Sequence, residues 1–269
     1  MIDKSQIISD LHRVRQQGPL VHNITNYVVM NTTANALLSI GASPVMAHAT
    51  EEVADMAAIA SALVINTGTL SSPWVDAMHK AMESARKHQV PIVFDPVGVG
   101  ATPYRRQTAQ ELFGTAMPDI IRGNASEILA LYSEDAKSKG VDATHDSSSA
   151  VKAAETLTQN HGSVIVISGE TDYIVSADRT ETITNGAAMM GRVTGMGCTA
   201  SALTGAFAAV NSDFTEAATS AMAVMGISGE LAAQRASGPG SLQLRLLDTL
   251  YSIGEAEITN NFKSANIDA

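Results

Sequence analysis

Segment 192–201 (RVTGMGCTAS) carries the residue types best suited to chemistry in this sequence. Gly195 and Gly197 leave backbone N–H groups unobstructed, and the small residues at 202–209 that follow predict a helix. The start of a helix offers unpaired N–H donors and a positive dipole end, which together stabilise an anion. Cys198 stands in the first turn, where the pKa of a thiol is commonly lowered. From the residues alone, a glycine turn before a buried helix, with Cys198 as a small core residue, is an equal alternative.

Segment 122–127 (RGNASE) combines a cation, an amide and a carboxylate. Arg122 can bind a phosphate through several N–H donors. Asn124 and Glu127 are three residues apart, so at a helix start they share one face and could hold a hydrated Mg²⁺ ion. The alternative is a helix cap in which Asn124 is the N-cap residue and Glu127 its reciprocal partner.

Other candidates lie near the ends of predicted strands. Asp95 could bind a metal ion or a water, or it could cap the backbone of a turn. Asn23 and Asn26 could bind a polar group of a substrate, or cap the helix that begins near Tyr27. Met46 could form an apolar substrate wall, although Met more often fills gaps in a core.

The elements that must position these residues alternate along the chain. Short apolar runs predict strands buried on both faces at 20–24, 62–66, 91–95, 119–122 and 164–168. Helix-length segments predict helices at 27–40, 51–59, 73–89, 103–113, 126–132 and 147–160. Residues 171–176 and 180–185 predict a hairpin, and three helices then follow at 199–210, 213–236 and 241–262. We find no linker and predict one domain over 1–269.

Polar segments follow five of the predicted strands: HNITNYV, NTGTLSS, DPVGVGAT, RGNASE and SGETD. Ligands of open α/β sheets bind at the carboxyl ends of the strands. The five segments therefore predict one cleft, and with it an enzyme.

Composition excludes several classes of function. The 269 residues include 17 Lys and Arg against 27 Asp and Glu, a net charge of −10, which opposes nucleic-acid binding but not a small phosphate ligand. A single Cys excludes a disulfide framework and a zinc site of several thiolates. The sequence has neither a membrane-length apolar run nor a signal-like start, so we expect no membrane association and a cytoplasmic location.

Six motifs occur in order over residues 22–207: HNITNYVVMNTTANALLSIGASPVM, INTGTL, DPVGVGAT, IIRGNASEI, ISGETDYI and VTGMGCTASALTGAF. Together they resemble the hydroxyethylthiazole kinase family of the ribokinase-like superfamily. The resemblance implies a three-layer α/β sandwich with a mainly parallel central sheet flanked by helices. It implies ATP-dependent phosphorylation of 4-methyl-5-(2-hydroxyethyl)thiazole in thiamine salvage, with Mg²⁺. It also implies a homotrimer with active sites between subunits.

The resemblance also assigns roles to single residues. Met46 and Gly195 would contact the thiazole, and Asn23 would lie near its hydroxyethyl arm. Cys198 stands where related sugar kinases carry an Asp base, and thiazole kinases carry Cys there. Met196 departs from the family, whose members often carry Thr at that position.

Four residues would bind ATP: Arg122, Ser168, Asn124 and Gly197. Gly195 and Gly197 would form the anion hole for the transferred phosphoryl group. Glu127 and Asp95 would support Mg²⁺, directly or through water. The loop at 238–240 is a candidate wall of the adenine pocket.

Three alternatives stay open at this point. One is another ribokinase-like kinase, acting on a small alcohol or a hydroxymethylpyrimidine. The second is an ATP-dependent dehydratase (a lyase) of hydrated nicotinamide cofactors, and the third is a nucleotide-binding protein without activity. The Gly-Cys helix start and the Asn-x-x-Glu element argue against the third.

Overall fold

The structure, a computed structural model, describes residues 2–139 and 147–265. Its strands are β1 Leu20–Ile24, β2 Ser43–Val45, β3 Ala62–Asn66, β4 Ile92–Asp95, β5 Ile120–Asn124, β6 Val164–Ser168, β7 Asp172–Val175 and β8 Thr180–Ile183. Its helices are α1 Lys4–Gln17, α2 Met30–Ile40, α3 Val53–Ile59, α4 Ser72–Lys87, α5 Pro103–Thr115, α6 Ala125–Lys139, α7 Ser147–His161, α8 Met196–Ala208, α9 Phe214–Gln234, α10 Pro239–Ser252 and α11 Glu255–Asn261. A 3₁₀ helix covers Ala188–Arg192.

These strands form one sheet in the order β2-β1-β3-β4-β5-β6-β7-β8. The pairs from β2 through β6 are parallel, whereas β7 pairs antiparallel with both β6 and β8. The predicted mainly parallel sheet and the predicted hairpin are therefore confirmed. The parallel strands end at the same edge, which brings the polar segments of the sequence together there.

Helices cover both faces of the sheet. Because side chains alternate along a strand, Val64 faces one layer, and Leu63 and Ile65 face the other. The layer on the Val64 side contains α1, α2, α8, α9, α10 and α11, and the opposite layer contains α3 to α7. The small residues of α8 allow close approach: a methyl group added to Gly205 would stand 2.5 Å from Val64 Cγ2. This is the predicted three-layer α/β sandwich.

Three elements, α1, β2 and the 3₁₀ helix, were not predicted. Helix α1 is polar overall, but Ile7, Leu11 and Val14 bury one face at helical spacing, and Asp3 caps its start by accepting a bond from Ser5 N. Strand β2 has only three residues at the sheet edge, and its pairing with β1 defines it.

One predicted helix is wrong in extent. The segment 241–262 forms two helices, α10 and α11, separated at Ile253 and Gly254. Gly254 N donates to Glu257 Oε2 at 2.9 Å, and Gly254 is the N-cap residue of α11. Within residues 2–139 and 147–265, no helix has the length and apolarity to cross a membrane.

Candidate active site

The start of α8 is built around two glycines. Gly195 is the N-cap residue with φ of 82°, and a methyl group there would also stand 2.6 Å from Val29 Cγ1. A methyl group on Gly197 would stand 2.5 Å from Arg122 Nη1. Since no side chain caps α8, a helix fully within the described residues, its first N–H groups are offered to a ligand.

Cys198 is half-buried in the first turn of α8, and its Sγ accepts a hydrogen bond from Asn26 Nδ2 at 3.4 Å. Burial raises the pKa of the thiol above its usual value, and the negative charge of Asp95 raises it further. Hydrogen bonds from Asn66 and Asn26 and the charge of Arg122 oppose that rise. The net effect is a raised pKa of the Cys198 thiol, the opposite of what its position at a helix start suggests.

Asp95 ends β4 at the centre of the sheet and is 1% exposed. Its Oδ2 accepts hydrogen bonds from Asn66 Nδ2 at 2.8 Å and from Ser201 Oγ at 2.7 Å. Arg122 Nη1 lies 4.0 Å from the same oxygen. Burial raises the pKa of Asp95 to about 6, although Arg122 acts in the opposite direction. Its side chain thus contacts other side chains of the site rather than capping a turn.

Arg122 lies on β5 with its guanidinium almost fully buried. It donates from Nη2 to Ser168 Oγ at the end of β6, and Ser168 Oγ donates in turn to Gly123 O at 3.3 Å. Arg122 Nε is buried without a partner among the described residues. An unpaired buried donor on a cation leaves capacity for a further acceptor.

Asn124 and Glu127 form the reciprocal helix cap that the sequence left as an alternative. Asn124 Oδ1 accepts from Glu127 N at 2.9 Å, and Glu127 Oε2 accepts from Asn124 N at 2.8 Å. Glu127 Oε1 also accepts from Gly98 N at 2.9 Å, which ties α6 to the loop after β4. The charge of Glu127 also contributes to the raised pKa of Asp95. Each carboxylate oxygen can accept a second bond, so the cap does not prevent ligand binding.

Asn23 is not exposed to the cleft. It is fully buried on the same face of β1 as Val21, towards α2 and α8. Its Nδ2 donates to Val21 O at 2.9 Å, and its Oδ1 has no partner among the described residues. Asn23 therefore does not cap α2, and it reaches no open surface.

Met46 directly follows β2, and two histidines bond to the backbone of Met46 and of the next residue. His22 Nε2 bonds to Ala47 O at 2.8 Å, and His48 Nδ1 bonds to Met46 O at 3.0 Å. The ring of His48 stacks on Trp74, with centroids 4.1 Å apart. These contacts hold a half-buried Met46 in place.

A cavity of about 760 Å³ opens beside Arg122, Ser168 and Gly197. Its other walls come from Gly169, Glu170, Asp172, Thr184, Asn185, Gly186, Ala187, Ala188, Met190, Gly191, Met196, Ala200, Met222, Met225 and Gly226. The loop at 238–240 does not line this cavity. The sequence motifs gave no reason to select the wall at 184–191, which lies between the hairpin and α8.

Two polar residues at the site were missed at the sequence level. Asn66 ends β3 within the motif INTGTL, and Ser201 lies on α8 beyond Cys198; both contact Asp95. The strand-end position of Asn66 is a signal that could have selected it, whereas nothing in the sequence pairs Ser201 with Asp95. No cluster of three or more His, Cys, Asp or Glu side chains suited to a metal occurs in residues 2–139 and 147–265.

Comparisons with known proteins agree on one family. Residues 11–256 match the family model described as "Hydroxyethylthiazole kinase family". A hydroxyethylthiazole kinase of Syntrophus aciditrophicus is 58% identical over 93% of this chain and 93% of its own length. The structure of a hydroxyethylthiazole kinase protein of Pyrococcus horikoshii is 44% identical, with a TM-score of 0.89 over 97% of this chain and 99% of that one.

A more distant comparison concerns the fold alone. A ribokinase-like superfamily protein of Enterococcus faecalis, 14% identical, superposes with a TM-score of 0.66 over 94% of this chain and 95% of that one. The fold is therefore ribokinase-like, as the resemblance implied. On the extent of the family match and the identity of its relatives, this chain is a member of the hydroxyethylthiazole kinase family of phosphotransferases.

Proposed function

We propose that this chain transfers the γ-phosphoryl group of ATP to the hydroxyl of 4-methyl-5-(2-hydroxyethyl)thiazole at the start of α8. The observation that carries the proposal is the meeting of Gly197, Arg122 and Cys198 at one point of the structure. Free N–H donors and a guanidinium stabilise the charge of a phosphoryl group, and the thiol lies beside them. Phosphoryl transfer depends mainly on such alignment and charge stabilisation.

The cavity beside Arg122 is the proposed ATP site. Arg122, held by Ser168, would bind phosphate oxygens together with the backbone at Gly197 and the amide of Asn124. This local set of donors explains how a chain with a net charge of −10 can bind a triphosphate.

Asp95 and Glu127 fit the requirements of a magnesium ion. Mg²⁺ is usually held by one or two carboxylates, waters and substrate phosphates, and Glu127 is close enough to Asp95 for its charge to raise the pKa of Asp95. When bound, the ion would neutralise charge on the phosphates. The two carboxylates themselves form a small, negatively charged site next to the cation of Arg122.

Met46 and Gly195 are the proposed contacts of the thiazole ring. The loop of Met46 supplies an apolar surface, and the absent side chain at Gly195 lets Val29 pack closely against the backbone there. Because Asn23 is fully buried, we assign it a supporting position beneath the site rather than a contact with the hydroxyethyl arm.

Cys198 is the proposed contact of the acceptor hydroxyl. Because the pKa of its thiol is raised, alignment of the hydroxyl is the larger part of the role, and proton acceptance the smaller. Cys198→Ala is expected to lower turnover by roughly tenfold or more, and Cys198→Ser to retain more of it. Full turnover of the Ala variant at saturating substrates would remove Cys198 from the mechanism.

We extend the proposal to a cytoplasmic homotrimer with sites between subunits. Leu38 on α2 and Leu244 and Tyr251 on α10 are large and exposed, and α2 packs on α10. Exposed apolar groups on adjacent helices suit contact with a second copy. Light scattering of the purified protein would give the subunit number, and Leu244→Glu should lower it.

Product analysis tests the activity. The protein is incubated with Mg²⁺-ATP and the thiazole alcohol, a hydroxymethylpyrimidine or a hydrated nicotinamide cofactor in parallel. Thiazole phosphate and ADP in equal amounts are expected from the first mixture. A phosphorylated pyrimidine alone, or repaired cofactor alone, would replace the proposal with one of the other two activities.

A further inference from the structure

Four side chains from separate parts of the chain form an unbroken row of hydrogen bonds. Asn26 Nδ2 donates to Cys198 Sγ at 3.4 Å and to Asn66 Oδ1 at 2.8 Å. Asn66 Nδ2 donates to Asp95 Oδ2 at 2.8 Å. Asn26, Asn66 and Asp95 are 4%, 2% and 1% exposed, so water does not compete for these bonds from the surface.

The hydrogen-bonding chemistry of each group determines which amide atom, nitrogen or oxygen, faces each neighbour in the row. An ionised carboxylate only accepts hydrogen bonds, so Asp95 requires Asn66 to present its amide nitrogen. The oxygen of Asn66 then faces Asn26 and also accepts from Gly68 N at 3.0 Å. Asn26 must therefore present its nitrogen, and its own oxygen accepts from Val28 N at 3.1 Å. One hydrogen of Asn26 Nδ2 goes to Asn66, which leaves the other for Cys198.

Packing keeps the Asn26 amide in this orientation. A methyl group added to Gly68 would stand 2.5 Å from Asn26 Nδ2 and 2.7 Å from Asn26 Cγ. The backbone at Gly68 thus closes directly on the amide. Movement of the amide in that direction would require the chain at Gly68 to shift.

We infer that Asn66 is a positioning residue for the transfer step, because it carries the orientation imposed by Asp95 through Asn26 to the sulfur of Cys198. A fixed N–H donor holds the sulfur in one place and stabilises negative charge on it. This inference rests on the proposed place of Cys198 beside the acceptor hydroxyl. Asn66 also lowers the pKa of the Cys198 thiol through a hydrogen bond of its own, so it acts on the sulfur both directly and through Asn26, and in this scheme it contacts neither substrate.

The only cysteine in the sequence makes the inference testable without turnover. The rate at which iodoacetamide alkylates Cys198 is measured by mass spectrometry at a series of pH values. The midpoint of the rate–pH curve reports the pKa of the thiol, and its plateau at high pH reports the accessibility of the sulfur. The charged groups that act on this thiol are Asp95 of β4 and Arg122 of β5, and both stay in place. The variants are Asn66→Ala, Asn26→Ala and the double variant, which together form a double-mutant cycle.

Each single variant should move the alkylation midpoint to higher pH, and the double variant should move it by less than the sum of the two single shifts. Asn66→Ala should lower kcat roughly tenfold with little change in the KM for ATP. Asn211→Ala is the matched control, since Asn211 is also a buried amide bonded to a buried carboxylate, that of Asp10, outside this row. It should lower stability and leave the midpoint unchanged.

An unchanged midpoint in Asn66→Ala, or additive shifts in the double variant, would overturn the inference. If Asn66→Ala does not fold, Gly68→Ala displaces the Asn26 amide without removing a polar group and must produce the same shift. If the alkylation midpoints of the variants shift as expected but the wild-type protein makes no thiazole phosphate, the role of the hydrogen-bond row in orienting Cys198 is supported and the proposed function is wrong.

Discussion

The guanidinium of Arg122 lies directly against the backbone of Gly197. A methyl group on Gly197 would stand 2.5 Å from Arg122 Nη1 and 3.3 Å from Arg122 Cζ. The contact places the cation of β5 beside the N–H groups that begin α8, and Ser168 holds the guanidinium from β6. Two sources of positive potential from distant parts of the sequence therefore converge on one small volume.

Gly197→Ala should weaken ATP binding because the new methyl group must displace Arg122. We expect the KM for ATP to rise roughly tenfold, with a smaller change in the KM for the thiazole alcohol. Gly114→Ala is the matched control, because a methyl group at Gly114 meets no atom within 4 Å. Steady-state kinetics with each substrate varied in turn would check this, and equal effects of the two variants would contradict it.

Glu127→Gln separates the helix cap from the proposed role with metal and phosphate. Glutamine has one side-chain oxygen, so it can still accept from Asn124 N but not from Gly98 N as well, and the free energy of unfolding should fall by about 1 kcal/mol. The lost negative charge should lower turnover roughly tenfold or more and raise the Mg²⁺ concentration needed for half-maximal rate. Unchanged rates with a lowered melting temperature would show that Glu127 serves only as a cap.

Asp95→Asn should stabilise the fold at neutral pH while abolishing most of the activity. The pKa of Asp95 is about 6 in the folded protein against 3.8 for an unperturbed Asp carboxyl, so the folded state binds this proton more tightly. Stability therefore falls as pH rises from about 4 to about 6, and above pH 6 the buried charge costs roughly 3 kcal/mol. Asparagine keeps an oxygen for Ser201 and Asn66 without that charge.

Urea unfolding at several pH values measures this effect. The increase in the free energy of unfolding caused by Asp95→Asn should be largest above pH 6 and should vanish below pH 4. Asp178→Asn is the control, since Asp178 is exposed and hydrogen bonding to Ser176 lowers the pKa of its carboxyl. An Asp95→Asn protein no more stable than the wild type at pH 8 would contradict the argument.

His22→Leu should loosen the loop that carries Met46. Burial lowers the pKa of His22, so the ring is neutral at neutral pH and donates from Nε2 to Ala47 O. Because Met46 would then be positioned less well against the thiazole ring, we expect the KM for the thiazole alcohol to rise several-fold. The KM for ATP should be unchanged.

Trp74 reports on the same loop independently of turnover. It is the only tryptophan in the sequence, and the ring of His48 stacks on it. His22→Leu should change its fluorescence, whereas His12→Leu, on the exposed side of α1, should not. A rise in the KM for both substrates, without a fluorescence change, would point to general destabilisation instead.

Sequence patterns alone were enough to predict the alternating strands and helices and the hairpin, whereas the ribokinase-like sandwich was implied by the resemblance of the six motifs to a known family. The strands at 20–24, 62–66 and 164–168 are runs of apolar residues buried on both faces, and this local pattern needs no tertiary information. Strand β2 was missed because three residues carry no pattern, and its partner β1 lies 23 residues earlier in register Leu20↔Ser43. The prediction of one domain over 1–269 stays a prediction.

The sequence by itself also selected the residue types of the site, since Arg122, Asn124, Glu127, Gly195, Gly197 and Cys198 stand in contiguous motifs. It could not determine which of them touch. Asn26, Asn66, Asp95 and Cys198 lie on four different segments, and only the parallel sheet brings their side chains together. The pKa of Cys198 shows the difference most clearly. Its place at a helix start is a local feature that suggests a lowered value, whereas burial and the charge of Asp95, which depend on the tertiary fold, raise it.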